Sequence, residues 1–182
     1  MLTRHSIKTD NANVADKVFL RQRATEHLDE LRVLDLYAGE NMLWGNFDCA
    51  RYYGVEIIKG KGRNLHADCV RMASSLDLSG FNVIDCDSYG VPFDVMVNLL
   101  DNPTLRAGTV IVFTAISNKM SGISKRCREM FGMDKMTGAR TLVNGMALEL
   151  FYALLAKRGV NDVYYYSIKS SYVKNYGYFV IT

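Results

Sequence analysis

The sequence predicts an α/β domain: a mostly parallel sheet of seven strands flanked by helices and ending in an antiparallel β-hairpin. Three observations carry this expectation. Short β-rich apolar runs alternate with helical stretches from residue 31 onward. The first run, Val33-Leu34-Asp35-Leu36, leads directly into Tyr37-Ala38-Gly39, a strand followed by a sharp turn. The last two runs, 163–168 and 178–181, flank a polar stretch around Lys174-Asn175 and read as a hairpin.

At 182 residues the chain fits one domain with a full core and little left for a second. Residues 1–12 are polar and read as a flexible tail, with a single domain over 13–182. Hydrophobic residues at 49% and charged residues at 23% are those of a globular protein, which excludes disordered and fibrous classes. The net charge of +3 tolerates an anionic partner without arguing for one. Cys49, Cys69, Cys86 and Cys127 form no CxxC pair and have no His at ligand spacing, so they read as reduced thiols and no metal site is expected. No apolar run approaches the roughly 18 residues of a membrane span. The amino terminus lacks the apolar core of a secretory signal. The expectation is a cytoplasmic protein without membrane association.

Taken in order, 13–31 carries Val14, Val18, Ala24, Leu28 and Leu31 at helical spacing, with Asp10 to Asn13 as candidate caps. Asp35 falls near the carboxyl end of the first strand, where open α/β sheets hold nucleotide-like ligands. Residues 40–50 have room for one or two helical turns. The run 51–57 is the second strand, and Glu56 lies near its end. A carboxylate about 20 residues beyond such a Gly turn accepts hydrogen bonds from ribose hydroxyls. Lys59-Gly60-Lys61-Gly62-Arg63 lacks the phosphate-loop spacing and reads as an exposed loop. A short strand at 64–66 follows so closely that the usual crossover helix looks trimmed. Asp68 can cap a helix over 69–76. Phe81-Asn82-Val83-Ile84 is the fourth strand, followed by Asp85-Cys86-Asp87-Ser88-Tyr89-Gly90-Val91-Pro92, with Pro92 opening a helix over 93–100. Strand alternation puts Asp85 and Asp87 on one side, so they compete for one site. Residues 109–115 are apolar on both faces, as central parallel strands are. The basic stretch 116–137 reads as a solvated helix, and 139–157 as the longest helix, stopped by Gly159. The six tyrosines of the tail, Tyr164, Tyr165, Tyr166, Tyr172, Tyr176 and Tyr178, read as core and edge packing.

The run Asp35-Leu36-Tyr37-Ala38-Gly39 resembles the cofactor loop of class I S-adenosylmethionine-dependent methyltransferases, Asp-x-Phe/Tyr-x-Gly-x-Gly, with Asn41 in place of the last Gly. Asp87-Ser88-Tyr89-Gly90-Val91-Pro92 resembles the Asp-Pro-Phe/Tyr-Gly-Ser-Pro run of the tRNA guanine N2-dimethyltransferases, with Ser88 where that family has Pro, a change that loosens the loop. The resemblance spans residue 31 to the end and implies a Rossmann-like fold with S-adenosylmethionine as cofactor. It implies that Asp35, Tyr37, Ala38, Gly39 and Glu56 hold the methionine and ribose parts, and Asp68 with Cys69 the adenine. Asp87 and Tyr89, with Asp85 beside them, would orient an amine for in-line methyl transfer. The implied acceptor is the exocyclic amine of a base in RNA, tRNA above all, or in DNA.

Two other readings stand beside this one. A chain this short has no room for an added RNA-recognition domain, so a partner subunit or a small amine substrate is an alternative. A fold kept as a binding subunit, with activity impaired by Ser88 and Asn41, is another. A nicotinamide-dependent reductase is disfavoured because Gly39 is a lone loop glycine where the dinucleotide fingerprint wants three.

Overall fold

A computed structural model describes residues 13–39, 43–57, 65–117, 124–133, 146–169 and 173–182. The expected tail 1–12, Asn41, the Lys59 to Arg63 loop, Lys119, Tyr172 and residues 139–145 of the expected long helix lie outside them. The described elements are α1 (Val14–Thr25), β1 (Arg32–Asp35), a 3-10 turn (Trp44–Asn46), β2 (Arg51–Glu56), β3 (Leu65–His66), α2 (Cys69–Ser75), β4 (Val83–Asp87), α3 (Phe93–Leu100), β5 (Val110–Ser117), α4 (Lys125–Met130), α5 (Ala147–Lys157), β6 (Tyr164–Lys169) and β7 (Val173–Val180).

The seven strands form one sheet in the order β3-β2-β1-β4-β5-β7-β6. The pairs β1–β2, β1–β4, β2–β3 and β4–β5 are parallel, and β7 inserts antiparallel between β5 and β6. This is the expected mostly parallel sheet with a terminal hairpin. The hairpin itself is shifted, because Lys174 and Asn175 are buried strand residues and not its turn.

Alternation along the strands assigns each face its cover. Leu34, Leu36, Ile84, Cys86, Ile111, Phe113 and Ala115 point to one side and pack with residues of α2, α3 and α5. Phe113 meets Phe151 of α5 with ring centroids 5.2 Å apart, a tilted contact between two fully buried rings. Val33, Val83, Val110, Val112 and Tyr176 point to the other side, where Leu20 and Ala24 of α1 and Trp44 cover them.

Three expected boundaries are corrected. Helix α1 ends at Thr25, six residues before Leu31, and its buried stripe is Lys17, Leu20, Arg21, Ala24 and Thr25, a stripe with two cations in it. The helix lies over carboxylates on the sheet, so burial follows charge pairing as well as hydropathy. Strand β4 begins at Val83 and carries both Asp85 and Asp87, which the sequence places in the loop beyond. Among 116–137, α4 is described over Lys125–Met130, and it is held to the core by buried Cys127.

Candidate active site

The turn after β1 is lodged between its two neighbours. Leu36 N donates to Asp85 O at 3.0 Å and Ala38 N to Val55 O at 3.1 Å. Gly39 takes φ 49°, a left-handed conformation that a side chain disfavours. Its N–H donates to Glu56 Oε2 at 3.1 Å, while Glu56 Oε1 accepts from Ile57 N at 2.9 Å. The turn can lie this close to β2 because Gly54 has no Cβ. A Cβ there would stand 2.9 Å from Ala38 Cβ and 3.0 Å from the Tyr52 hydroxyl. Asp35 Oδ1 accepts from Tyr37 N at 3.1 Å, closing an Asx-type turn. Its Oδ2 accepts from the Tyr52 hydroxyl at 3.0 Å.

Tyr37 reaches across to α2, where its hydroxyl lies near the Cys69 thiol, and burial pushes both groups up from their ordinary values. Asp68 caps α2 by accepting from Arg71 N at 3.0 Å. Five sequence-predicted residues (Asp35, Tyr37, Gly39, Glu56 and Cys69) are thus brought together, with Ala38 in the turn backbone and Asp68 on the rim. His66 Nδ1 pairs with Glu56 O at 2.8 Å, tying β3 to the end of β2.

A row of carboxylates crosses the sheet under α1. Asp35 and Asp85 are partners in register, and Asp87 follows two residues on along β4. Asp85 is sealed: Oδ2 accepts from Arg21 Nε at 2.7 Å and from Trp44 Nε1 at 2.6 Å. Asp87 lies nearer the surface, with its side chain 10% exposed and Lys17 Nζ 2.8 Å from Oδ2. Asp85 and Asp87 therefore do not compete for one position: the first is interior, the second at the rim. Burial first, and the neighbouring Asp85 charge second, push the Asp35 carboxyl up to about 8. Burial opposes the Arg21 charge, but the Asp85 and Asp87 carboxylates outweigh that cost and hold the guanidinium above its ordinary value.

Beyond β4, Tyr89 is 60% exposed. Ser88, in the place of a Pro, does not leave the loop loose. Its Oγ donates to Gly90 O at 3.1 Å and to Thr114 O at 3.2 Å, and its N–H donates to Cys86 O at 2.8 Å. On the other side of the strand ends, a cavity of about 180 Å³ is lined by Tyr37, Val70, Phe93, Asp94, Ser124 and Cys127, among others. Ser124 Oγ donates to Asp94 Oδ1 at 2.6 Å across this cavity wall.

Sequence reasoning missed Lys17, Arg21, Trp44, Tyr52 and Gly54. The available signal was the spacing: cations four apart on a helix, facing acids two apart on a strand, reach each other at one end of a sheet. Among the described residues no group of three His, Cys, Asp or Glu side chains could hold a metal ion. No described helix is long and apolar enough to cross a membrane.

No protein-family model matches the sequence, and no curated protein matches it. Among solved structures the chain is similar to a possible exported protein from Bordetella parapertussis, with 10% identity, a TM-score of 0.57, and 92% of this chain matched to 67% of that one. It is also similar to the plantazolicin methyltransferase BamL in complex with a triazolic desmethylPZN analog and SAH, with 11% identity, a TM-score of 0.53, and 92% of this chain matched to 84% of that one. At these identities the likeness is one of fold, and the fold is the Rossmann-like one of a methyltransferase.

Proposed function

We propose that the protein is an S-adenosylmethionine-dependent N-methyltransferase whose acceptor is the exocyclic amine of a base in RNA, with tRNA the first substrate to try. The observation that carries this reading is the Gly39 to Glu56 bond at 3.1 Å, which joins a Gly turn and a carboxylate at the carboxyl ends of adjacent parallel strands. Sheets of this kind bind nucleosides there. The residues fit the cofactor: the row under α1 holds three carboxylates and two cations, a surplus that suits a ligand of net positive charge. When bound, S-adenosylmethionine supplies a methyl group activated by its sulfonium.

In this reading Glu56 holds the ribose hydroxyls, and Asp35, Tyr37, Ala38 and Gly39 line the methionine side. Asp68 and Cys69 mark the adenine side, next to a cavity with room for a planar ring rather than a whole cofactor. Asp87, at the rim, accepts from the amine N–H and aims the nitrogen lone pair, and the exposed Tyr89 ring stacks on the base. Asp85 anchors Arg21 beneath them and does not touch the acceptor. Recognition of a long RNA draws on a partner subunit.

A second reading, a cofactor-binding module without turnover, is favoured by the ion pair that already occupies Asp87 Oδ2. Calorimetric titration with S-adenosylhomocysteine tests the first. Micromolar binding that Glu56→Ala weakens by about tenfold, ~1.4 kcal/mol, supports the cofactor site, and labelled-methyl transfer to RNA supports the enzyme. Binding without transfer to RNA, DNA or small amines leaves the module. No binding to the unaltered protein rejects both.

A further inference from the structure

Asp35 and Asp85 face the same side of adjacent parallel strands, in register, at a strand spacing of about 5 Å. The charged and titratable groups around Asp35 come from every neighbouring element. Helix α1 brings Lys17 and Arg21, β4 brings Asp85 and Asp87, and β2 brings Tyr52 with Glu56 at its end. Cys86, between the two acids of β4, points into the opposite core. Among the described residues, three carboxylates face two cations in this row. Asp85 Oδ1 is buried with no hydrogen-bond partner among the described residues, as is Arg21 Nη2 beside the same carboxylate. Burial pushes the Asp85 carboxyl up as well, but the Arg21 guanidinium and Trp44 Nε1 both donate to it and favour its charged form. Among the described residues, Asp35 receives the neutral donors Tyr37 N and the Tyr52 hydroxyl. The proton that balances the row therefore resides on Asp35.

On the reading of this site as one for S-adenosylmethionine, we propose that Asp35 exchanges its proton for the cofactor's sulfonium charge, so that the protein distinguishes the charged cofactor from its neutral-sulfur product by the ionisation of one carboxyl. Binding of S-adenosylmethionine breaks the Asp35 O–H bond and the proton leaves to solvent. S-Adenosylhomocysteine, which lacks the sulfonium, binds with Asp35 still protonated. After methyl transfer the Asp35 carboxylate again has no counter-charge and recovers one proton from solvent. The free carboxyl, held up to about 8 by burial and by Asp85, carries the proton at neutral pH as the exchange requires.

The test is calorimetry at about pH 7 in buffers of different ionisation enthalpy, with S-adenosylmethionine and S-adenosylhomocysteine as the two probes. The proposal expects release of about one more proton with the first probe than with the second. It also expects affinity for the first to rise by about tenfold or more between about pH 6 and pH 8 while that for the second stays level. Asp35→Asn should abolish the difference in proton count. If that variant does not fold, Tyr52→Phe removes a hydrogen bond that favours the ionised form and should move the pH dependence upward. Equal proton counts for the two probes, or a difference that persists in Asp35→Asn, overturn the proposal while the cofactor site stands. Failure of both probes to bind overturns it together with the functional reading.

Discussion

Arg21 Nε donates to Asp85 Oδ2 at 2.7 Å between side chains that are each 1% exposed, locking α1 across the centre of the sheet. Removing one partner of such a pair strands a buried charge, whereas replacing both with apolar groups does not. Arg21→Met should cost about 3–5 kcal/mol in urea unfolding. The double variant Arg21→Met/Asp85→Leu should recover most of that loss. Equal losses in the single and double variants would reject the ion pair as the source.

Gly54 lets β2 approach the Gly39 turn, to which the proposed cofactor site belongs. A methyl group there would press on Ala38 and the Tyr52 hydroxyl at 2.9 and 3.0 Å. The neighbouring turn must give way, because the hydroxyl is held by Asp35. Gly54→Ala should therefore weaken S-adenosylhomocysteine binding by about tenfold. Its stability cost should be about 1–2 kcal/mol. Full affinity with lowered stability would show that the turn is not part of the binding surface.

Much of this arrangement was legible in the sequence because it is local. The turn at Tyr37-Ala38-Gly39 follows from a strand meeting a glycine, and Glu56 lies beside it because adjacent parallel strands end together. Helix α3 matches its expected span, since Pro92 and an apolar run define it. The underside of the site was not legible. Lys17 and Arg21 belong to α1, 70 and 64 residues from their respective acids, and a buried cation looks like a solvated one until its partner is placed. Asp85 and Asp87 fell outside the expected strand because charged residues rarely extend an apolar run. Here the cations from α1 make their burial tolerable.

The buried Asp35 carboxyl contributes to the pH dependence of stability, in the same direction as the buried Asp85 beside it. The ordinary Asp35 value is 3.8 and its folded value is about 8, so between these the native state holds a proton that the unfolded chain has lost. Stability then falls as pH rises through that window, by at most about 1.4 kcal/mol per unit. Below the window both states hold the proton, and above it neither does. Unfolding midpoints measured across the window should decline in the unaltered protein and more shallowly in Asp35→Asn. Parallel declines would place the titration elsewhere.

Gly177 marks the tightest packing in the hairpin. A Cβ on it would stand 2.5 Å from Phe113 Cζ, 2.7 Å from Tyr164 O and 2.9 Å from Tyr165 Cβ. Two of these neighbours cannot swing away: one is backbone, and the other is a fully buried ring. Gly177→Ala should destabilise by about 2–3 kcal/mol. A thermal midpoint unchanged from the unaltered protein would contradict the close pairing of β6 and β7 around Phe113.

On the proposed function, Asp87 and Tyr89 would serve the acceptor and not the cofactor. Asp87 sits at the rim with Lys17 on one oxygen, and Tyr89 projects beyond it with more than half its surface open. Asp87→Asn keeps the shape but weakens the acceptor for an amine N–H, and should lower kcat by about a hundredfold. S-Adenosylhomocysteine affinity should change by less than about threefold. Tyr89→Ala should mainly raise KM for a base-containing acceptor, since stacking is worth about 1–3 kcal/mol per base. Its folding stability should move by no more than about 0.5 kcal/mol, as for other exposed positions. Loss of cofactor binding in Asp87→Asn would instead place that carboxylate in the cofactor site, next to Asp35.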